Sequence, residues 1–521
     1  MITNYHTKQI IFKETIHLEK VAVISLGTTK IDLVLSDVLP GGNFVVVDEM
    51  SETIKIGQDM EQDGFIKPAR IAEALSILKT FKTICDVNKV SNTIAVAVHN
   101  VKTIKNQRSF FEEIYNTCGF KFKILTEEEE LTALYTGIIN TLDIPKGLII
   151  DVKGGSTNLV HYNRRVICNQ VTIPMGSYTL TQLFENSKET PETTCSRMVE
   201  LFKNELKVYD WLKHIEPEFA YIGAGSAFAN IGKLSRKLKK YPLELAHNYP
   251  MTKADFDSVY DLIKTLDLDK TKKIKGISSD RADVLASGIC IVKAVLETID
   301  AQEFVISDKD EKEGLIFNYA VPITNEKPIS DLLGYSLETI NAFYDRKEDN
   351  AKQVGELALI LFRQLKVLHK LSRGYLKVLR IASIMHDCGK RIKFYNHAKN
   401  SFNIILNSDI QGVTQREITL AAFVCSSQDS NEFSLAEWIK YKDILLEEDL
   451  LAVKKLAIIV RIAEALDKTH RNIVQDVSCD VLGDSVIMKT IVTADASIEI
   501  REALKASLDF KKAYGKNLEV L

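Results

Sequence analysis

The sequence contains no CxxC pair. Its eight cysteines, Cys85, Cys118, Cys168, Cys195, Cys290, Cys388, Cys425 and Cys479, are scattered over 521 residues. That pattern argues against a zinc ribbon and a disulfide framework, and it suits a reducing compartment. An excess of charge of one sign is also missing, since the formal net charge is −3. No global field marks a nucleic-acid or membrane-surface binder, so any polyanion site has to be a local patch. No apolar run approaches bilayer-spanning length, and the opening MITNYHTKQIIFKETIHLEK is too polar for a signal peptide. The expectation is a cytoplasmic protein with no nucleic-acid and no membrane partner. What remains is an ordinary globular composition, 45% hydrophobic and 26% charged, in a chain long enough for three or four domains.

Glycine turns are what the chain does have. LIIDVKGGSTNLVHY (148–162) is an apolar strand, an aspartate, a turn of two glycines and two hydroxyls, and a second apolar strand. Small residues let a backbone approach a ligand closely, and successive N–H groups in a tight turn form a nest for anions. On its own the segment reads as an ordinary hairpin whose glycines permit the turn. An internal match changes that reading: ISLGTTKIDLV (24–34) lies without gaps on IDVKGGSTNLV (150–160). Two subdomains of similar build are expected, each opening with a β-hairpin whose turn faces a shared cleft. Between the hairpins, helical stretches such as IKPARIAEALSILKTFKTICD (66–86) alternate with strands such as TIAVAVHNV (93–101), as in an α/β domain. A third glycine turn stands in YIGAGSAFANIG (221–232).

Past about residue 320 the pattern changes. VPITNEKPISDLLG (321–334) reads as a linker, and the following segments carry apolar residues at three- and four-residue intervals. Alternation returns in DSVIMKTIVTADASIEI. The expected fold class is α/β, with an actin-like (ribonuclease H-like) subdomain over 1–136 and a second over 137–322. A helical domain over 323–475 and a small α+β unit over 476–521 complete the chain.

With these residues assembled, the chain resembles the exopolyphosphatase and guanosine pentaphosphate phosphohydrolase (Ppx/GppA) family over essentially its whole length. The resemblance rests on IIDVKGGSTNLV, ILTEEEELTALYTGI (124–138), YPLELAHNYPMTKADF (241–256), GISSDRADVLASGICIV (276–292) and ISDKDEKEGLIFN (306–318). In the helical part it rests on MHDCGK (385–390), SFNIILNSDIQGVTQRE (401–417) and RIAEALDKTH (461–470), which are similar to an HD-like domain. The resemblance implies cleavage of terminal phosphates from inorganic polyphosphate, or of the 5′ γ-phosphate from guanosine pentaphosphate. It also implies magnesium and a homodimer. The family's catalytic glutamate falls on Glu130, where a carboxylate can accept a proton from the attacking water. Glu127, Glu128 and Glu129 read instead as a solvated helix N-terminus favoured by the helix dipole. Phosphate binding is implied for Gly27, Thr28, Thr29, Lys30, Lys102, Lys153, Gly154, Gly155, Ser156 and Thr157, and Mg²⁺ binding for Asp151.

Several positions depart from the family pattern. Its first-turn aspartate is Ser25, its second-turn glycine and glutamate are Lys153 and Asn158, and two of its arginines are Lys102 and Lys312. Phosphate binding should survive these changes, because backbone N–H groups and ammonium both favour anions. Magnesium should bind weakly, since one aspartate and a few hydroxyls make a poor octahedral cage. In the helical domain His386, Asp387 and Asp467 keep the HD-type metal positions. The first histidine position is Asn350, and a later one is replaced within VCSSQDS (424–430). This site is expected to be a metal-free structural cluster. Basic runs at 232–241, 270–276 and 389–400 offer local positive charge that solvated surface also explains. Two functions follow: a phosphoanhydride hydrolase with Glu130 as base, or a polyphosphate- or guanosine tetra-/pentaphosphate-binding regulator of the same fold with little turnover. A sugar or acetate kinase-like ATPase is a third, disfavoured by the matches beyond residue 240.

Overall fold

The computed structural model describes residues 18–57, 59, 64–216, 218–274, 277, 281–321, 328–343, 348–427 and 435–521. Residues 322–327 of the expected linker, the end of the 270–276 basic run and the end of VCSSQDS lie outside them. The chain divides into two compact units, 1–137 with 311–326, and 138–310 with 327–521.

The first unit is built on a five-stranded sheet: β1 (Glu19–Leu26), β2 (Lys30–Val38), β3 (Phe44–Thr53), β4 (Asn92–Ala97) and β5 (Lys123–Ile124), in the order β3-β2-β1-β4-β5. β1, β2 and β3 form an antiparallel meander, and β4 pairs parallel to β1. Side chains alternate faces along a strand, and here both faces are covered. Ala22, Ile24 and Leu26 pack with Phe81 of the helix Pro68–Val87 and Phe110 of the helix Gln107–Cys118. On the opposite face Val23 and Val34 meet Ile316 of the helix Glu311–Ala320. That helix crosses the helix Glu127–Ile139 at Gly314, where a Cβ would fall 1.8 Å from the carbonyl oxygen of Ala133. Only glycine allows so close a crossing.

The second unit repeats the plan. Its six-stranded sheet has the order β10-β11-β9-β6-β7-β8, from β6 (Gly147–Val152), β7 (Thr157–Asn163), β8 (Val166–Ile173), β9 (Ala220–Ala224), β10 (Tyr249–Thr252) and β11 (Glu303–Ile306). β6, β7 and β8 form the antiparallel meander, and β9 pairs parallel to β6 as β4 does to β1. The two hairpins even share their register. Ser25 stands opposite Asp32, and Asp151 opposite Asn158, the pairs that the gapless sequence match superimposes. One closing bond recurs as well, from Gly27 N–H to Lys30 O and from Lys153 N–H to Ser156 O, each at 2.9 Å.

Beyond residue 330 the same unit is mainly helical. Apolar faces of the helices Glu348–Gln364, Tyr375–Ile384, Gln415–Ser426 and Asp449–Ala465 share one core through Leu357, Leu379, Leu420 and Leu456. A three-stranded sheet of β12 (Val474–Leu482), β13 (Ser485–Val492) and β14 (Asn517–Val520) joins that core through Val477, Met488 and Leu518. No helix among the described residues is long and apolar enough to cross a membrane.

Candidate active site

In the second unit, the turn from Lys153 to Ser156 is shaped by what lies beneath it. The carbonyl oxygen of Lys153 accepts from the N–H of Ser177 at 2.9 Å, and that of Gly154 from Tyr178 at 2.8 Å. Both donors belong to the first turn of the helix Ser177–Leu183. Gly176 makes this docking possible, since a Cβ there would lie 2.4 Å from Lys153 O and 2.5 Å from the nitrogen of Ser156. With its carbonyls turned to the helix, the turn keeps the N–H groups of Gly154, Gly155 and Ser156 outside any hydrogen bond among the described residues. Successive N–H groups of this kind make an anion nest. Thr157 is buried and donates its hydroxyl to Met175 O at 2.8 Å, so its side chain holds the turn in place.

Asp151 sits at the end of β6 and is 1% exposed. Its Oδ2 accepts from the Asn158 amide at 3.1 Å, with the Lys153 ammonium 3.8 Å away. The Thr172 hydroxyl donates to Asn158 Oδ1 at 3.0 Å, which fixes the amide with its NH₂ toward Asp151. Oδ1 of Asp151 packs against Gly225, the first residue of the helix Gly225–Lys239, where a Cβ would be only 2.3 Å away. Gly225 has φ +79°, a conformation that favours glycine. The third glycine turn of the sequence therefore closes over the aspartate of the second, and the positive end of a helix dipole supports the carboxylate.

In the first unit, the carbonyl of Thr28 accepts from Gly57 N–H at 2.7 Å, and that of Thr29 from Ile54 N–H at 3.0 Å, which tether the Gly27–Thr29 turn. The carboxylate absent at Ser25 stands across the strand pair at Asp32, which is 3% exposed. Lys30 reaches its Oδ2 at 2.7 Å and Lys312 at 3.6 Å. Two lysines near the turn are thus held by one buried acid. Lys102 is exposed, in the 3₁₀ turn His99–Thr103.

The acidic run separates by environment. Glu127 and Glu128 are exposed, whereas Glu129 and Thr126 close a capping box, at 2.9 Å from Thr126 N–H to the carboxylate and 3.1 Å from Glu129 N–H to the hydroxyl. The Lys123 ammonium, followed by the Thr126 N–H, holds the Glu129 carboxyl below its ordinary value. Glu130 is buried at 2% exposure, and its Oε2 receives the N–H of His99 at 3.1 Å and lies 2.9 Å from His99 Nδ1.

In the helical part, Asn350 donates to Asp467 Oδ2 at 2.7 Å, while Asn472 N–H binds Oδ1 at 3.0 Å. His386 Nδ1 lies 2.8 Å from Ser383 O, which makes that nitrogen the donor. Lys390 stands 3.7 Å from Asp387 and 3.6 Å from Glu464. Burial pushes the Glu464 carboxyl up, but His386 and Lys390 outweigh it and hold it below the usual range. Of the basic residues at 232–241, Arg236 stacks over Tyr249 at 5.1 Å and Lys239 pairs with Asp255 at 3.0 Å.

The fit of magnesium can be judged from the donor sets. The carboxylates at both turns already carry protein cations, Lys153 on Asp151 and Lys30 with Lys312 on Asp32. A divalent ion would have to displace an ammonium from either. Among the described residues, no three His, Cys, Asp or Glu side chains converge as a metal site. The residues at the turns do not fit a resident Mg²⁺. Asp32, His99 and Glu464 were not singled out from sequence, and Gly225 only as part of the third glycine turn. Only Asp32 had a signal there, because hairpin register places it beside Ser25.

The sequence matches the profile of the Ppx/GppA phosphatase family over residues 34–321, and that of Ppx/GppA phosphatase domain III over 335–508. The chain belongs to the Ppx/GppA phosphatase family. Among curated relatives of this family member, a bifunctional 3-dehydroquinate synthase/phosphatase of Fusobacterium nucleatum is 23% identical over 314 residues, 57% of this chain and 46% of that protein. A guanosine-5′-triphosphate,3′-diphosphate pyrophosphatase of Aeromonas salmonicida is 21% identical over 421 residues, 80% of this chain and 81% of that one. The chain thus spans about half the length of the first relative and most of the second. Among solved structures, the Ppx/GppA family member of Aquifex aeolicus matches at TM-score 0.52 and 23% identity, covering 59% of this chain and 100% of that one. An exopolyphosphatase of Cytophaga hutchinsonii matches at TM-score 0.54 and 19% identity, covering 58% and 98%. The likeness establishes the fold of the Ppx/GppA part as α/β and actin-like, as expected from the two hairpins.

Proposed function

We propose that this Ppx/GppA family member hydrolyses the terminal phosphoanhydride bond of a phosphate chain, inorganic polyphosphate or guanosine pentaphosphate, and releases orthophosphate. The observation that carries the reading is Glu130, the one buried glutamate of four, whose Oε2 is met by the backbone N–H and the ring Nδ1 of His99. Water attacks the terminal phosphorus and gives a proton to Glu130, the bond to the bridging oxygen breaks, and that oxygen leaves on the shortened chain. Backbone N–H groups and lysine ammonium are the groups of this chain suited to meet the charge that develops. Within the first unit Lys30 and the turn Gly27–Thr29 are phosphate-holding groups, with the exposed Lys102 a further cation; within the second unit, taken by itself, Lys153 and Gly154–Thr157 form an anion-binding turn.

A second reading is a phosphate-chain sensor with slow turnover. The lysines compensating Asp32 and Asp151 favour it, because they suit holding an anion and disfavour recruiting a divalent ion. Orthophosphate release by purified protein from long-chain polyphosphate and from guanosine pentaphosphate, with Mg²⁺ and with EDTA, decides between them. Multiple turnovers support the hydrolase. Stoichiometric binding without release supports the sensor.

A further inference from the structure

His99 begins the 3₁₀ turn that follows β4, and its position is tightly fixed within the first unit. Val98 donates its N–H to Leu26 O at 3.1 Å, tying the segment to the strand end that enters the Gly27–Thr29 turn. Leu125 donates to Ala97 O at 2.9 Å, tying the same strand end to the approach of the helix carrying Glu130. Glu130 N–H in turn binds Thr126 O at 3.0 Å, inside the first helical turn. Backbone bonds therefore set both members of the pair before their side chains meet.

The meeting is specific. Both donors from His99, backbone N–H and ring Nδ1, converge on the same oxygen of Glu130, Oε2. The carboxylate oxygen accepts from the backbone N–H, and with the ring proton on Nδ1 the imidazole donates to that same oxygen. The Glu130 side chain is 3% exposed and that of His99 is 21% exposed. Burial alone penalises the charged carboxylate, and donors to the charged form offset that penalty. Two donors on one oxygen also remove the rotation of the carboxylate about its last side-chain bond.

We propose that His99 is the positioning residue of the proton acceptor: its backbone and ring contacts pin Oε2 of Glu130 and fix the orientation of the carboxylate. This rests on Glu130 receiving the proton of the attacking water. His99 itself makes and breaks no bond, and the water proton ends on Glu130. The role asks for a side chain with an N–H donor at that reach. Asparagine offers one and alanine does not.

The test uses the full chain with long-chain polyphosphate, comparing wild type, His99→Ala and His99→Asn after matching their melting profiles. Misplacing a catalytic group by about 1 Å can lower rate up to roughly 100-fold. His99→Ala is expected to lower kcat by roughly 10- to 100-fold with KM little changed, and His99→Asn to recover most of the loss. Unchanged kcat in His99→Ala, or an Asn variant as slow as the Ala variant, overturns the proposal. Failure of the hydrolase reading looks different, because wild type itself then releases no orthophosphate. In that case ¹⁵N NMR of the His99 ring decides the pairing. An Nδ1–H tautomer that is lost in Glu130→Ala upholds it, and a ring insensitive to that substitution overturns it.

Discussion

Asn158→Asp changes one atom of the second turn and tests why the site does not fit a magnesium ion. The Asn158 NH₂ now lies 3.1 Å from Asp151 Oδ2, buried at the end of the β6–β7 pair. Replacing that donor with a carboxylate oxygen sets two like charges about 3 Å apart, a repulsion of roughly 5 kcal/mol at an effective dielectric of 20. Lys153 and partial protonation absorb part of it, so the expected net destabilisation is about 2–4 kcal/mol. The paired carboxylates would then offer what the wild type lacks, two acidic groups side by side whose combined charge can outcompete the Lys153 ammonium for a divalent cation. The assay is thermal melting in EDTA and in millimolar Mg²⁺. In EDTA the variant should melt several degrees below wild type. Mg²⁺ at about 100 times its Kd should return roughly 2.7 kcal/mol to the variant and leave wild type unmoved. The reasoning fails if wild type is stabilised by Mg²⁺ as strongly as the variant.

Gly225→Ala places a Cβ 2.3 Å from Asp151 Oδ1 at φ +79°, and a loss of roughly 2–4 kcal/mol is expected in urea unfolding, with phosphate-chain affinity reduced. Gly314→Ala meets the Ala133 carbonyl at 1.8 Å and should separate two helices of the first unit, seen as a lower melting temperature with the second unit unaffected. Arg416→Met strips the fully buried Asp449 of a fork bonded at 2.5 and 3.0 Å and should cost about 3–5 kcal/mol, since an uncompensated buried charge remains. Burial, then the Asp449 hydrogen bond, pushes the Tyr375 phenol up to about 12. Its raised value means a contribution fully present below the ordinary phenol range, near 10, and lost as pH rises through about 12. The stability gap between wild type and Tyr375→Phe should therefore narrow across that window.

How much of this was legible in the sequence depends on the range of the interaction. The two hairpins were, because alternation, glycine turns and a gapless internal match are local signals, and the shared register Ser25–Asp32 and Asp151–Asn158 follows from them. The split within the Glu run was legible only through family resemblance: four consecutive glutamates look alike until packing buries one of them. His99 was not legible, because its contact with Glu130 depends on how a strand end and a helix start approach each other. Gly225 was legible only as part of a third glycine turn, and it meets Asp151 through the parallel pairing of β6 with β9, where Asp151 stands beside Ala224. Lys390 and Glu464 likewise come together from separate helical segments, with no spacing to announce them.

The central claim is that Glu130 takes the proton of the attacking water, and single-turnover release of orthophosphate from polyphosphate by Glu130→Gln tests it most directly. Glutamine keeps the size and the bonds to His99 in part, but it cannot accept a proton. The expected result is a rate lower by roughly 10²–10⁴ with polyphosphate affinity unchanged or slightly tighter. A Glu130→Gln protein that releases orthophosphate as fast as wild type contradicts the account and moves the base to another group.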